Sequence, residues 1–135
     1  MKTKLLDIAI IEHDGKILMR RKQPNMPYKE TWYLFGGEVT DGATPEQATQ
    51  EIVKKQAGID IKAKQKLWWD SEIKIDHDGE EKFFIYLDSL YSYAGGELEK
   101  GKGVEELAWI PIDELGNYDI VPPSRIVYER LGYIK

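Results

Sequence analysis

The feature that most constrains this chain of 135 residues is a strand, loop and helix pattern in residues 32–61. The predicted loop carries three glycines, namely Gly36, Gly37 and Gly42. Thr44 and Pro45 predict a helix start, because threonine caps free backbone N–H groups and proline fits the first helical turn. Gly58 predicts the end of that helix, which covers residues 44–57. A glycine loop that leads into a helix N-terminus commonly binds anions, so the stretch first indicates a phosphate ligand.

The same stretch resembles the Nudix box, whose pattern is G-x5-E-x7-R-E-U-x-E-E-x-G-U, with U an aliphatic residue. Gly37 and Gly58 match the two glycines of that pattern, and Val53 matches its inner aliphatic position. The preceding W-Y-L-F-G-G is similar to the W-x-L-P-G-G that usually opens the box. Residues 109–115 are similar to the W-x-P-x-D-E-L that the family often carries later in the chain. The resemblance to the Nudix hydrolase superfamily implies an α/β fold, an α/β/α sandwich with a mixed sheet.

The positions that carry the chemistry of the box depart from the pattern. In the register fixed by the two glycines, Ala43 replaces the loop glutamate, and Glu51 and Ile52 replace the Arg-Glu pair. Lys55 and Gln56 replace the Glu-Glu pair. In the family these glutamates hold divalent metals that bridge a diphosphate and activate a water. The resemblance therefore implies Mg²⁺ as cofactor and a nucleoside diphosphate linked to a further group as substrate, yet the carboxylates that Mg²⁺ prefers are replaced.

Three functions stay open at this point. The first is a pseudoenzyme whose metal-dependent diphosphate hydrolysis is lost or strongly weakened, and which still binds a nucleotide, sugar nucleotide or phosphate. The second is an active, atypical Nudix pyrophosphohydrolase that uses Glu51 as its catalytic metal ligand, or carboxylates outside the box. Those outside carboxylates are Glu38, Asp41, Glu46, Glu105 and Glu106. The third is a protein-interaction domain, in which Ile52 makes the former cleft drier.

Cationic side chains are the candidates for phosphate binding. Lys55 stands at a metal-ligand position of the box, where its ammonium group could contact phosphate as a point charge in place of a metal. The alternative is an exposed helix lysine that pairs with Glu51 on the helix surface. Arg20 and Arg21 follow the second predicted strand and could reach the same phosphates. Their alternative role is to protect an edge strand from aggregation.

Composition narrows the class of protein further. The length and the 41% of hydrophobic residues predict a single domain over residues 1–135 with a substantial core. The chain has no cysteine, which excludes thiol chemistry and fits a reducing cytoplasm. Its net charge of −5 argues against general nucleic-acid binding. No apolar run approaches twenty residues, so no membrane partner is expected.

Turn signals and alternating apolar residues predict the rest of the chain. Asp14-Gly15 and Asp78-Gly79 each predict a hairpin. The predicted strands are residues 4–11, 16–21, 61–76 and 82–93, with an edge strand that ends at Pro111. Ser124 is predicted as the N-cap of a last short helix.

Aromatic residues alternate along the two long strands of the second hairpin. They are Trp68, Trp69, Phe83, Phe84, Tyr86, Tyr91 and Tyr93. Neighbouring residues of a strand point to opposite faces of the sheet, so one set of these rings is expected in the core. The other set is expected to form a base-stacking wall or the interface of a homodimer.

Overall fold

A computed structural model describes residues 1–21 and 30–135 of the chain. Residues 22–31 are polar and contain Pro24 and Pro27, which favours a loop, and most of them lie outside the described residues. The strands are β1 (Lys2–His13), β2 (Lys16–Arg21), β3 (Trp32–Tyr33), β4 (Phe35–Glu38), β5 (Ile59–Ile75), β6 (Glu81–Gly96) and β7 (Glu106–Pro111). The helices are α1 (Pro45–Ala57), a 3₁₀ helix (Ile112–Asn117) and α2 (Pro122–Leu131). Both predicted hairpins are present, and Asp14 and Gly15 form the first turn with φ values of 51° and 74°.

The strands form one mixed sheet with β1 near its centre. β1 pairs in parallel with β6 and antiparallel with β2 and β4. β5 runs antiparallel to β6 and ends the strand order on that side. β2 pairs with β1, β3 and β7. The sheet therefore mixes parallel and antiparallel pairs, as predicted.

Helices cover both faces of this sheet, because the side chains of β1 alternate between two apolar cores. Ala9 and Ile11 are fully buried and pack in one core with Val53 and Ala57 of α1. The second core holds fully buried Ile10 together with α2 and the 3₁₀ helix. Its buried members from those two helices are Leu115, Val127 and Tyr128. This arrangement confirms the predicted α/β/α sandwich.

The ends of α1 follow the sequence closely. Thr44 accepts a hydrogen bond from the Gln47 backbone at 3.1 Å, and the Gln47 side chain accepts one from the Thr44 backbone at 3.0 Å. This reciprocal pair satisfies two N–H groups that the helix itself cannot satisfy. At the other end, Gly58 has φ +76° and donates its N–H to Lys54 O at 3.0 Å. The predicted start and stop of the helix are therefore confirmed.

The predicted glycine loop is only partly a loop. Gly36 and Gly37 belong to β4 and pair with Ile8 and Asp7 of β1, while Gly42 lies in the following turn with φ +89°. Glycine is needed at position 37 because α1 crosses the strand closely. A Cβ there would lie 3.1 Å from the backbone oxygen of Ala48.

Two further predictions are wrong. Ser124 does not cap α2, which starts at Pro122 with Val121 as its N-cap. The Ser124 hydroxyl instead accepts a hydrogen bond from the Leu34 backbone at 3.1 Å, so it ties α2 to the segment before β4. The strand β2, predicted as an edge, lies inside the sheet because β1 and β7 flank it.

Candidate functional site

Four residues of α1 at chemistry positions of the box are here called the box face: Glu51, Ile52, Lys55 and Gln56. Ile52 is half-buried and packs against the apolar core under α1. Glu51 and Lys55 are exposed, and their carboxylate and ammonium groups lie 3.2 Å apart. The surface pairing considered for Glu51 and Lys55 is therefore present.

Gln56 is held from below by Arg20 of β2. The Arg20 side chain is 9% exposed, its Nη1 donates to Gln56 Oε1, and its Nε donates to Leu34 O at 3.2 Å. The guanidinium also lies over two aromatic rings, 4.1 Å from that of Tyr33 and 4.9 Å from that of Phe35. Burial lowers the pKa of Arg20 to about 10, so the group stays charged at neutral pH. A fixed positive charge therefore lies beneath one former metal-ligand position.

Arg21, the other predicted phosphate ligand, turns to a different set of groups. Its Nη2 lies 3.6 Å from a Glu105 carboxylate oxygen and 3.5 Å from one of Glu106. Of the carboxylates considered outside the box, these two are thus engaged by Arg21. Glu46 accepts from the Ala63 backbone at 2.8 Å and faces β5. The structure brings Arg20 to the box face and holds Arg21 among acidic side chains.

The segment between β6 and β7 closes over the end of α1. Glu99 donates its N–H to Ala57 O at 2.9 Å, and Gly101 donates its N–H to Gln56 O at 3.0 Å. A Cβ at Gly101 would lie 2.0 Å from the backbone oxygen of Lys55, so only glycine fits at this distance. The last turn of α1 is therefore capped by this segment as well as by Gly58.

The box face does not fit the Mg²⁺ site that the resemblance implies. Ile52 offers no donor atom, and the ammonium of Lys55 repels a cation. The carbonyl of Gln56 already accepts from Arg20. Ala43, at the position of the loop glutamate, has no donor side chain. Across residues 1–21 and 30–135, no three His, Asp or Glu side chains are grouped so as to hold a metal ion.

Sequence reasoning missed a buried carboxylate next to the box. Asp7, a residue of β1, is fully buried beneath α1 and accepts hydrogen bonds from three hydroxyl groups. They belong to Thr49 at 2.5 Å, Tyr91 at 2.6 Å and Ser89 at 3.2 Å. Burial raises the pKa of Asp7, while these hydrogen bonds oppose the rise. The strand pattern did contain one indication of this burial. Alternate residues of a strand point to the same face of the sheet, so Asp7 shares its face with the core residues Ala9 and Ile11.

The fold is an α/β/α sandwich with a mixed sheet, and the helix of the box, flanked by glycines, packs across that sheet. The model of the NUDIX domain family matches residues 3–131, and the chain therefore belongs to that family. The prediction made from the box is thus confirmed. Among the helices of the described residues, none has the length and apolar character needed to cross a membrane.

Relatives within the family carry several activities in their names. The chain is 31% identical over 107 residues to an ADP-ribose pyrophosphatase of Methanocaldococcus jannaschii, covering 79% of this chain and 61% of that protein. It is 24% identical over 132 residues to a nucleoside triphosphatase NudI of Escherichia coli, covering 93% of this chain and 94% of the relative. The fold also matches the crystal structure of a MutT NUDIX hydrolase from Burkholderia pseudomallei, with a TM-score of 0.75 and 22% identity. That match covers 97% of this chain and 99% of the other.

Proposed function

We propose that this protein binds a nucleotide or sugar nucleotide through its phosphates and has lost, or strongly weakened, the metal-dependent hydrolysis of its family. The hydrogen bond from Arg20 to Gln56 carries this proposal. It holds a buried cation beneath Gln56, which stands where the family pattern has a metal-binding glutamate, so the protein itself supplies positive charge near the box face. A resident cation and a metal ion at adjacent positions would repel each other.

Lys55 is the residue proposed to contact phosphate. Its side chain is 68% exposed and lies at the end of α1 that also carries Gln56. A flexible ammonium group can move from the Glu51 carboxylate to a phosphate that carries more charge. Glu51 then acts as a competitor for Lys55 when no ligand is bound. The Arg20 guanidinium contributes electrostatically from beneath, because it is buried and donates hydrogen bonds to Leu34 O and Gln56 Oε1.

The names of the relatives suggest the first ligands to test. ADP-ribose contains a diphosphate between two riboses, and nucleoside triphosphates offer the same phosphate chemistry with more charge. Both are proposed as ligand classes here, with the cytoplasm as the proposed location. Calorimetric titration in the presence of a chelator is the direct measurement, since the proposal requires binding without a divalent metal.

Two charge reversals separate the proposed site from a general effect of charge. Lys55→Glu is expected to weaken binding of the best ligand about tenfold or more, which corresponds to the loss of one charged contact of at least ~1.4 kcal/mol. Lys54→Glu changes the net charge equally, but Lys54 pairs with Asp60 on another side of α1. It is expected to leave the affinity nearly unchanged. Equal affinities of the two variants would contradict the role of Lys55.

Glu51→Gln distinguishes this proposal from an active atypical hydrolase. If Glu51 only competes for Lys55, its neutralisation is expected to strengthen ligand binding in chelator. If Glu51 holds a catalytic metal, the wild type turns over nucleotides with Mg²⁺ or Mn²⁺ and Glu51→Gln abolishes that turnover. Phosphate release measured over a panel of nucleotides decides between the two. Turnover at ordinary enzyme rates, about 1 s⁻¹ or faster, would refute the loss of hydrolysis.

A further inference from the structure

One part of the sheet extends beyond the cover of α1. From Trp69 onward, β5 continues beside β6, and its odd-numbered residues share the α1 side with Leu87 and Asp7. On that side Trp69 is 66% exposed, Ile73 is 59% exposed and Ile75 is 69% exposed. On β6, half-buried Leu87 lies opposite Trp69 and half-buried Phe83 lies opposite Ile73. Half-buried Ile85 lies between them, opposite Ser71, and exposed Glu81 lies opposite Ile75. We call this surface the open face.

The open face borders a free strand edge. β5 ends the strand order of the sheet, so one side of its 17-residue backbone has no neighbouring strand in the described part of the chain. An exposed edge with apolar side chains readily pairs with another chain. The first half of β5 is protected by Lys62, Lys64 and Lys66, all exposed. From residue 69 to residue 75 the charged residues are Asp70, Glu72 and Lys74, so this half of β5 has a single lysine beside its exposed apolar residues.

The charge pattern of residues 69–75 is complementary to itself. Two antiparallel copies related by a two-fold axis at Glu72 place Trp69 opposite the partner's Ile75 and Ser71 opposite the partner's Ile73. The same register places Asp70, which pairs with Arg130 of its own copy at 2.6 Å, opposite the partner's Lys74. The two Glu72 side chains meet at the axis, where each accepts from Tyr86 Oη at 2.7 Å and lies 3.2 Å from Lys74 Nζ. Tyr86 and Lys74 therefore compensate part of the charge of each Glu72, and the same Lys74 faces Asp70 of the other copy.

We propose that the partner of the open face is a second copy of this chain, paired antiparallel along residues 69–75 of β5 about a two-fold axis at Glu72. A cavity of about 270 Å³ lies at the inner end of the open face. It is lined by Asp7, Pro45, Trp69, Leu87 and other residues of β5 and β6. The partner's Ile75 lies at the margin of this cavity because it stands opposite Trp69. A two-fold contact of this kind is closed. The free edge of β5 is occupied in both copies, so assembly stops at the dimer.

A single introduced cysteine tests the register. The natural chain contains no cysteine, so Glu72→Cys can form a disulfide only between two copies. Directly opposite residues of an antiparallel pair have Cα atoms about 4.5 to 5.5 Å apart, within disulfide range. Mild oxidation is expected to convert Glu72→Cys into a covalent dimer on a non-reducing gel. Lys64→Cys, exposed on the protected half of β5, is expected to stay monomeric. Failure of Glu72→Cys to cross-link, or equal cross-linking of both variants, would overturn the proposed pairing.

The oligomeric state tests the face without a disulfide. Sedimentation equilibrium between about 1 and 200 µM, which brackets a contact of micromolar affinity, is expected to show a wild-type dimer. Ile73→Lys extends the lysine protection to the open face and is expected to give a monomer. Ile126→Lys changes another isoleucine, 51% exposed on α2, and is expected to remain a dimer. A monomeric wild type, or a dimer that survives Ile73→Lys, would refute the proposal. If Ile73→Lys does not fold, judged by circular dichroism, Ser71→Lys replaces it with the same two outcomes.

Discussion

At the scale of single residues, Arg20 shows how burial changes the role of a charged side chain. Its neighbour Arg21 is half-exposed and sits among carboxylates, whereas Arg20 is directed inward to Leu34 O and Gln56. A guanidinium presents several donors in a fixed plane, so one side chain can satisfy two acceptors and stack on aromatic rings at the same time. Arg20 thus connects β2, the segment before β4 and α1.

Arg20→Lys is expected to lower the free energy of unfolding by about 2 to 3 kcal/mol, because an ammonium group cannot replace both buried hydrogen bonds in that geometry. Urea denaturation measures the change. Arg21→Lys provides the matched control and is expected to change stability by no more than ~0.5 kcal/mol, since its ion pairs lie in solvent. Equal effects of the two substitutions would contradict the structural role of Arg20.

Asp88 of β6 is expected to make the stability of the fold depend on pH below neutrality. It is 4% exposed, and its pKa is raised from 3.8 to about 6, first by burial and then by the nearby charge of Asp70. Arg130, which pairs with Asp70 at 2.6 Å, opposes the rise in part. Because the folded pKa lies above the unfolded one, the folded state holds this proton more tightly. Stability from Asp88 is therefore present at low pH and is lost as the pH rises to about 6.

Between about pH 4.5 and pH 7.5, the wild type is expected to lose about 2 kcal/mol of stability relative to Asp88→Asn, which cannot ionise. The measurement is urea denaturation of both proteins at the two pH values. Groups other than Asp88 titrate equally in both proteins and cancel in the difference. Parallel pH profiles of the two proteins would show that Asp88 is not responsible.

At the scale of elements, α1 is flanked by two glycines that are under different constraints. Gly42 and Gly58 both have positive φ, which other residues adopt at a cost of about 1 to 2 kcal/mol. They differ in their surroundings. A Cβ at Gly58 would lie 2.9 Å from the Glu97 backbone oxygen, whereas a Cβ at Gly42 would meet nothing within 4 Å. The segment between β6 and β7 therefore adds a packing constraint to one end of the helix alone.

Gly58→Ala is expected to cost at least about 1 kcal/mol more than Gly42→Ala, because only the first forces two backbone segments apart. Thermal unfolding of the two variants gives the comparison, and backbone strain at positive φ is common to both. If the two melting temperatures were equal, the close contact between Gly58 and the β6–β7 segment would have no energetic weight.

At the scale of the whole molecule, the family fold is retained while the box face has changed its electrostatic character. The elements that position the site are those of a NUDIX domain, and their glycines are fixed by backbone geometry. The side chains that would bind metal are not required for folding, since Ile52 packs as an apolar residue and Gln56 binds Arg20. The fold of this chain therefore does not depend on the side chains that would bind metal, as in other folds that host many functions.

If the replaced box carboxylates limit hydrolysis by this chain, restoring them is expected to increase phosphate release that depends on Mg²⁺. The variant with Ala43→Glu, Ile52→Glu, Lys55→Glu and Gln56→Glu is expected to raise Mg²⁺-dependent phosphate release about tenfold or more above wild type. The control carries glutamine at positions 43, 52 and 55, which has nearly the same size and no charge. Equal rates of the two variants would mean that the missing carboxylates do not limit Mg²⁺-dependent hydrolysis by this chain.

Local chemistry made much of this protein predictable from its sequence. The capping of α1 by Thr44, its end at Gly58 and both hairpin turns depend on backbone conformation and neighbouring residues, so sequence alone indicates them. The spacing of Gly37, Val53 and Gly58 sufficed to identify the family. The same spacing located the replaced positions on one stretch of helix.

Only the tertiary structure showed which residues from distant parts of the sequence are in contact. The sequence placed Arg20 and Gln56 in different elements, and only the packing of α1 over β2 brought them together. Likewise, the strand alternation that contains Asp7 did not reveal that Thr49 and Tyr91 would surround it. Burial and pairing of polar groups depend on which distant segments meet, and these segments meet through the summed packing of two apolar cores. The sequence by itself determined the family and the course of the box, while the fold determined where its charges lie.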